Sequence, residues 1–377
     1  ASENKFIEAI KNYEKAIQLN PSYAQAYNNL GNTLYKLNKV DDSIYNYKKA
    51  IKYKNDFAEA YNNLGNANLK IYKPKEAILY FEKSLKFKND YAEAYYNLGL
   101  TYLELDKINY AIKFLEKAIK VRPEYAEAYY CLGIIFNDLA RFNDSLLCYN
   151  KAIKLEPQQK KFYNNLGNLL NKLGKFDEAE KAFYKAIKIK PNYSKAYSNL
   201  LFNLNFKVDF DSNLYLKEAK NFALNCKPIN KKITLKYQYI KKPQKLKLGF
   251  VSSNFYAHPG AYFTLSTFKE LKKKNFDLIA YSCSSKEDEY SNQLKRLFSD
   301  WYIIEDKNYE DIVKQINNDG IHILVDMQGH SDKNKLPIFA LKPAPIQITW
   351  LGQGTSGVSE IDYFIGDNYN VLKNEEK

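Results

Sequence analysis

The sequence predicts a solenoid of paired α-helices followed by an α/β lobe with a parallel sheet. In the first half of the 377-residue chain, glycine recurs with a constant period of 34 residues, which indicates stacked helical repeats. From Leu246 onwards, short apolar runs alternate with amphipathic segments, which indicates a sheet covered by helices on both faces. We expect repeats over 1–204, a linking helix and Lys-rich connector over 205–244, and the lobe over 245–377.

Each repeat is predicted to be a pair of amphipathic helices. In the segment 24–37, Tyr27, Leu30 and Leu34 are spaced by three and four residues and form one apolar stripe. Small residues at fixed registers let the two helices of a pair approach closely. Such a unit cannot bury its apolar face alone, so the units are expected to stack into a right-handed superhelix with a concave groove. The periodic glycines are Gly31, Gly65, Gly99, Gly133 and Gly167.

A ladder of asparagines lies two residues before the periodic glycines. Its members are Asn29, Asn63, Asn97, Asn165 and Asn199, and Cys131 takes the place of asparagine in one repeat. Carboxamides in one register supply donors and acceptors that fit the backbone of an extended peptide without reading its sequence. The alternative is a solvated face in an asparagine-rich protein. We expect the ladder to bind a protein or peptide in the groove.

Composition excludes several classes of protein. The net charge of +14 comes from dispersed lysines with very few arginines, so we expect no nucleic-acid partner. The four cysteines form no C-x-x-C pair, and we predict neither a disulfide scaffold nor a metal site. No apolar run approaches the length of a membrane span, and the start carries no signal peptide. We expect a cytoplasmic protein, or a nuclear one in a eukaryote. Because the chain begins inside a repeat, we also expect it to be a piece of a longer protein.

The lobe places polar motifs after three of its predicted strands. These motifs are 252–259, 326–330 and 351–357, and ligands of a parallel sheet bind at the carboxyl ends of its strands. The predicted strands are 246–251, 276–281, 301–304, 321–325 and 345–350, with helices over 212–226, 261–274 and 310–317.

Two of the three histidines lie in these strand-end loops. His258 follows the first strand, and His330 follows Asp326 by four residues after the fourth. For either histidine alone, a surface or capping role is an equal alternative, but two such loops with an acidic residue indicate a site for proton transfer or orientation. His322 lies within a predicted strand and is expected to be structural.

The motifs of both halves resemble one family. The repeats resemble the tetratricopeptide repeat. The stretches LKLGFVSSNFYAHP, DGIHILVDMQGHS and IFALKPAPIQITWLG resemble the amino-terminal catalytic lobe of the O-linked N-acetylglucosamine transferases, glycosyltransferase family 41, which includes SPINDLY. Repeats that run into this lobe are the architecture of that family, and an asparagine ladder is among its features.

The resemblance implies a GT-B fold of two Rossmann-like lobes, of which the second lobe is absent from this chain. The family transfers a sugar from a nucleotide donor, here expected to be UDP-GlcNAc, to Ser or Thr of proteins, with inversion and without a cofactor or an essential metal. The second lobe of the family supplies the lysine at the diphosphate, so the chain alone is expected to fold but not to transfer sugar. By position, the expected catalytic residues are His258, Asp326 and His330, and the expected substrate-binding residues are Pro259, Gly329, Thr355 and the ladder asparagines.

Two departures from the family pattern leave alternatives open. Asn254 stands where the family usually has Asp, and the loop 352–357 is one residue shorter than usual. The alternatives are an O-fucosyltransferase of the SPINDLY type and a non-catalytic scaffold that binds peptides. For an active enzyme we expect His258→Ala and His330→Ala to lower transfer with little change in melting temperature, and His322→Ala to lower the melting temperature.

Overall fold

The computed structural model of the chain describes residues 2–226, 235, 237, 243–331, 333–350 and 355–366. It divides into two compact units, Ala1–Gln158 and Gln159–Lys377. Most of the expected connector, 227–242, lies outside the described residues.

The first unit consists of helices that pack as antiparallel pairs. They are α1 (Ser2–Leu19), α2 (Ala24–Lys36), α3 (Val40–Tyr53), α4 (Ala58–Lys70), α5 (Pro74–Phe87), α6 (Ala92–Glu104), α7 (Ile108–Val121), α8 (Ala126–Asp138) and α9 (Phe142–Leu155). Each even-numbered helix packs on the helix that follows it, and each pair also contacts the next pair. The helix pair predicted from the 34-residue period is therefore the repeating element of this unit.

Close approach within a pair requires the periodic glycine. A Cβ added at Gly31 would lie 2.6 Å from the ring of Tyr47 on the facing helix. That ring is buried, and its hydroxyl donates to the side-chain oxygen of Asn32 at 2.8 Å. Ala50, one turn further along α3, is fully buried. These contacts confirm that the small residues of the repeat serve close helix packing.

The second unit continues the helix pairs and then forms a sheet. Its helices are α10 (Lys160–Lys172), α11 (Phe176–Ile189), α12 (Ser194–Leu204), α13 (Ser212–Cys226), α14 (Pro259–Lys273), α15 (Glu289–Lys295), α16 (Tyr309–Asn318) and α17 (Leu336–Phe339). Its strands are β1 (Lys247–Ser252), β2 (Asp277–Ser282), β3 (Asp300–Ile303), β4 (Ile323–Asp326), β5 (Ile346–Trp350) and β6 (Tyr363–Ile365). The five predicted strands are present, and β6, α15 and α17 are additional.

All strands of the sheet are parallel, in the order β3-β2-β1-β4-β5-β6. This is the doubly wound order in which the direction of winding reverses between β1 and β4. Ligands of such sheets bind outside the carboxyl ends of the two strands at the reversal. The loops that follow β1 and β4 are the ones that carry His258 and His330.

Each face of the sheet has its own apolar core, and one of them includes α12, the last helix of the repeat region, together with α13. Tyr197 of α12 and Phe222 of α13 are buried in the same cluster as Val251, whereas Phe250 points into the opposite cluster. The helix α13, which the sequence suggested as a linker, therefore helps to close the core of the lobe. The loop after β5 also passes close to it, since a Cβ added at Gly357 would lie 2.1 Å from the carbonyl oxygen of Ala219.

No described helix is both long and apolar enough to cross a bilayer. Among the described residues, His, Cys, Asp and Glu side chains do not gather in groups of three or more that could hold a metal ion.

Candidate functional site

A cavity of about 200 Å³ opens at the carboxyl ends of β1 and β4. It lies at the reversal point of the sheet, where the topology places a ligand. Its lining contains polar and apolar side chains but no charged Lys, Arg, Asp or Glu among the described residues. The lining residues are Phe202, Asn205, Ser252, Asn254, Phe255, His258, Gly260, Ala261, Thr264, Met327, Gln328, His330 and Ser331.

His258 is the N-cap of α14 and lines this cavity. Its backbone is extended, and its Nδ1 accepts a hydrogen bond from the amide of Gly260 at 3.1 Å. Pro259 occupies the first helical position, where its missing N–H costs nothing. Because Nδ1 accepts, the proton of the neutral ring lies on Nε2. While it caps the helix, His258 therefore offers a substrate a hydrogen-bond donor at Nε2.

Asp288 holds the loop that carries His258, and the sequence interpretation did not single it out. One carboxylate oxygen accepts from the amide of Ala257 at 2.7 Å, and the other accepts from Ser291 at the start of α15. These two backbone hydrogen bonds lower the pKa of Asp288. The residue fixes the position of His258 from a neighbouring helix, a role that the local sequence around His258 does not reveal.

Asp326 shapes the loop after β4 and is not among the residues that line the cavity. Its carboxylate accepts from the amides of Gln328 at 3.1 Å and Gly329 at 2.9 Å, and from the Thr349 hydroxyl at 2.9 Å. Burial raises its pKa to about 6, although these three bonds oppose the shift. Gly329 has a φ of +52°, which suits the tight turn of this loop. In this arrangement Asp326, which the sequence predicts to be catalytic, holds the loop after β4 through its hydrogen bonds.

His330 is buried and hydrogen-bonded at both ring nitrogens. Its Nε2 lies 3.0 Å from the carbonyl oxygen of Ser356, and its Nδ1 lies 3.2 Å from the hydroxyl of Ser198 on α12. Phe222 of α13 packs edge-on against the ring at 4.8 Å. Burial lowers the pKa of His330 to about 4, so the ring is neutral near pH 7. One edge lines the cavity, but the polar contacts of His330 join the helices to the lobe.

Gln328 is a further candidate that the sequence interpretation missed. It is buried at the cavity, and its Oε1 accepts from the hydroxyl of Ser253 at 2.5 Å. Its Nε2 is buried and has no hydrogen-bond partner among the described residues. A buried amide donor without a partner is costly, so it marks a position where a ligand oxygen would be stabilised. The neighbouring Asn254, the departure from the family pattern, lines the same cavity.

The remaining predicted substrate-binding residues of the lobe are less informative. Pro259 is exposed beside His258, and Thr355 is exposed in the segment after β5. Residues 351–354 lie outside the described residues, so the expected effect of the shortened loop stays a prediction.

The ladder asparagines are half-buried and make a contact that the sequence did not reveal. The carboxamide nitrogen of Asn97 donates to the side-chain oxygen of Asn62, in the preceding repeat, at 2.9 Å. Asn63 makes the same contact with Asn28 at 3.0 Å, and Asn199 makes it with Asn164 at 2.9 Å. In each ladder residue that makes this bond, the carboxamide nitrogen links two adjacent repeats. The carboxamide oxygen of the same residue can accept a hydrogen bond from another partner.

Fold and site together define a helical-repeat protein joined to a doubly wound α/β lobe with a ligand cavity at its reversal point. Residues 211–374 match the sequence profile of Glycosyl transferase family 41. Tetratricopeptide-repeat profiles match 1–71, 58–91, 92–125, 126–159 and 161–193. The chain therefore joins tetratricopeptide repeats to a lobe that matches glycosyltransferase family 41.

Relatives of known name agree with this assignment. The chain is 34% identical over 131 residues to the probable UDP-N-acetylglucosamine–peptide N-acetylglucosaminyltransferase SPINDLY of Oryza sativa subsp. japonica, which covers 33% of this chain and 14% of the relative. It is 30% identical over 128 residues to the probable enzyme SEC of Arabidopsis thaliana, with 33% of this chain and 13% of the relative covered. The matches thus span about one seventh of the length of these relatives.

A solved structure has the same fold. A mutant of the Thermobaculum terrenum O-GlcNAc transferase superposes with a TM-score of 0.63 at 22% identity, and the match covers 73% of this chain and 53% of the other.

Proposed function

We propose that the protein transfers N-acetylglucosamine from UDP-GlcNAc to Ser or Thr hydroxyls of polypeptides held by the repeats. The observation that carries the proposal is the cavity of His258 at the reversal point of a lobe that matches family 41. The curated relatives bear the name of this activity. The proposal includes neither a metal nor a cofactor.

The reaction breaks the bond between the anomeric carbon and the diphosphate oxygen, which departs with its electron pair as UDP. It forms a bond from that carbon to the acceptor oxygen, whose proton is released to solvent or to the departing UDP. The Nε2–H of His258 is suited to hydrogen-bond an oxygen of the sugar or of the leaving diphosphate. Gln328 offers a second uncharged donor beside it. The lining of the cavity fits a neutral pyranose and an acceptor hydroxyl, because a diphosphate requires positive charge that the described lining does not contain.

Transfer of labelled sugar tests this proposal directly. The protein expressed from its complete coding sequence is incubated with UDP-[³H]GlcNAc and a Ser/Thr peptide, and a nucleotide-activated fucose serves as the competing donor. We expect label from the GlcNAc donor on the hydroxyl. Label from fucose alone would assign the O-fucosyltransferase activity, and peptide binding without transfer from either donor would assign the scaffold function.

The ladder is proposed to bind the acceptor backbone, and its variants separate binding from stability. We expect Asn63, Asn97 and Asn165 replaced together by Ala to weaken peptide binding at least about tenfold, since several hydrogen bonds are lost. The same variant should also unfold more easily, because the buried carboxamide oxygens of Asn28 and Asn62 lose their donors. Fluorescence anisotropy and thermal melts measure the two effects.

Asn62→Ala is the matched control for the ladder. It removes the same bond between repeats from the other side and leaves the carboxamide of Asn97 in place. We expect it to lower stability by about 1 kcal/mol while peptide affinity stays close to that of the wild type. Equal loss of affinity in Asn62→Ala and in the ladder variant would mean that the ladder acts through repeat packing alone.

A further inference from the structure

A second cavity, of about 480 Å³, adjoins the cavity of His258 on the side of the repeats. Phe202, His330 and Ser331 line both cavities, so the two are neighbours that share a wall. The volume falls within the range of about 300–1,000 Å³ that is typical of ligand pockets. The lining residues are Asn168, Asn171, Lys172, Phe176, Asn199, Phe202, Phe206, His330 and Ser331.

Three phenylalanines form a partly exposed aromatic cluster in this second cavity. Phe206 stacks on Phe176 at 6.0 Å and contacts Phe202 at 4.8 Å. Phe202 is 41% exposed and Phe206 is 49% exposed. Large apolar side chains that gather at a concave surface mark a binding site more often than scattered ones do. The cluster therefore offers an apolar side chain a place to be buried.

The polar groups of the second cavity indicate which class of ligand enters it. The side-chain oxygen of Asn171 is buried and has no hydrogen-bond partner among the described residues. Asn199, a ladder residue, donates its nitrogen to Asn164 and so presents an oxygen as well. Two carboxamide oxygens call for hydrogen-bond donors, which a polypeptide backbone supplies at every residue. The phenylalanines beside them fit an apolar side chain, which a polypeptide can carry and a nucleotide sugar lacks. Lys172 is the one charged residue of this lining in the described part of the chain, and it disfavours a basic ligand.

We propose that the aromatic cluster is a side-chain subsite of the acceptor groove, which selects polypeptides with an aromatic or large aliphatic residue close to the modified Ser or Thr. The inference rests on the proposed acceptor-binding function and adds sequence selectivity to it. The ladder contacts any backbone, whereas the cluster distinguishes one side chain from another. Because Phe202 of the cluster also lines the cavity of His258, the selected residue lies a few positions from the hydroxyl.

The test uses labelled peptides and the 377-residue chain. The probes are extended peptides of identical Ala/Thr sequence around a central serine, with a single phenylalanine moved through the flanking positions, and one peptide without phenylalanine. We expect one position to bind about tenfold more tightly than the peptide without phenylalanine, which is the effect of burying a large apolar side chain. Phe206→Ala and Phe202→Ala should each remove this preference.

Phe210→Ala is the matched control. Phe210 is similarly exposed, at 51%, but it packs on Tyr215 and lines neither cavity. This variant should keep the preference, and thermal melts of all three variants verify folding. The subsite would be overturned if Phe206→Ala bound the peptide without phenylalanine more weakly by the same factor as the preferred peptide. A flat response across positions, absence of all peptide binding, or self-association of the chain that Phe206→Ala abolishes would overturn it as well.

The outcomes distinguish this inference from the proposed function. Binding that depends on the position of phenylalanine, without sugar transfer, would support the subsite and contradict the proposed transferase activity. Sugar transfer that does not depend on the position of phenylalanine would support the transferase activity and contradict the subsite.

Discussion

Replacing His258 by alanine is expected to lower sugar transfer by the complete protein at least ~100-fold, the usual effect of losing an orienting or proton-transferring group. The Nε2–H of this cavity-lining residue disappears with the ring, and the other histidine that lines the cavity cannot replace it. His330, which also lines this cavity, has both nitrogens engaged with Ser198 and Ser356. The measurement is the rate of label transfer to a Ser/Thr peptide at saturating donor.

His258→Asn separates chemistry from helix capping. Alanine removes the N-cap as well as the ring, which costs about 1 kcal/mol of stability. Asparagine can accept from the amide of Gly260 as Nδ1 does, so this variant should melt close to the wild type and still lose transfer. Transfer restored by asparagine would mean that His258 serves the protein only as a cap.

The repeats were predictable because their determinants are local. The glycine that admits the ring of Tyr47 recurs in five repeats, each time against a large side chain of the facing helix, so the sequence shows the same constraint five times. The strands were likewise predicted from short apolar runs, with bounds that differ by one or two residues. The edge strand β6 was not predicted, because its three residues are exposed and show no alternation of buried and exposed side chains.

The site was only partly predictable, because its geometry depends on residues far apart in sequence. His258 and His330 were found by their positions after strands, as predicted. The partner of His330 on α12, Ser198, lies 132 residues away, and no spacing rule connects them. The bond from Asn97 to Asn62 was missed because the partner position, three residues before the periodic glycine, holds asparagine in only some repeats. Tyr96 and Ser198 occupy it in others.

His330→Ala is expected to destabilise the fold, which corrects the expectation that its loss would leave the melting temperature unchanged. The ring fills a buried position against Phe222 and bonds to Ser198 and Ser356. Its removal leaves a cavity and two polar groups without their partner, a loss of about 2–5 kcal/mol. His322→Ala should lower the free energy of unfolding less, because the ring of His322 is only half-buried; its Nδ1 accepts from the amide of Lys247 at 3.1 Å. Urea unfolding measures both.

The pH dependence of stability distinguishes His330 from Asp326. The folded pKa of His330 is lowered from 6.5 to about 4, so the unfolded chain binds more protons between these values. The stability contributed by the neutral ring is therefore complete above pH 6.5 and is lost as the pH falls towards 4. The folded pKa of Asp326 is raised from 3.8 to about 6, so its contribution has the opposite sign: it is complete below pH 3.8 and is lost as the pH rises towards 6. In the wild type the two slopes, each about 1.4 kcal/mol per pH unit, largely cancel between pH 4 and 6.

His330→Gln removes one of these slopes and keeps a donor for the carbonyl of Ser356. The free energy of unfolding of this variant should then approach that of the wild type as the pH falls from 7 to 4, by up to about 3 kcal/mol, because the wild type alone loses the contribution of the neutral imidazole. Taking the difference between the two proteins cancels every group that they share, Asp326 included. A difference in free energy of unfolding that stays constant across this range would mean that the pKa of His330 is the same in the folded and unfolded chain. His330 would then not be buried between α12, α13 and the loop after β5.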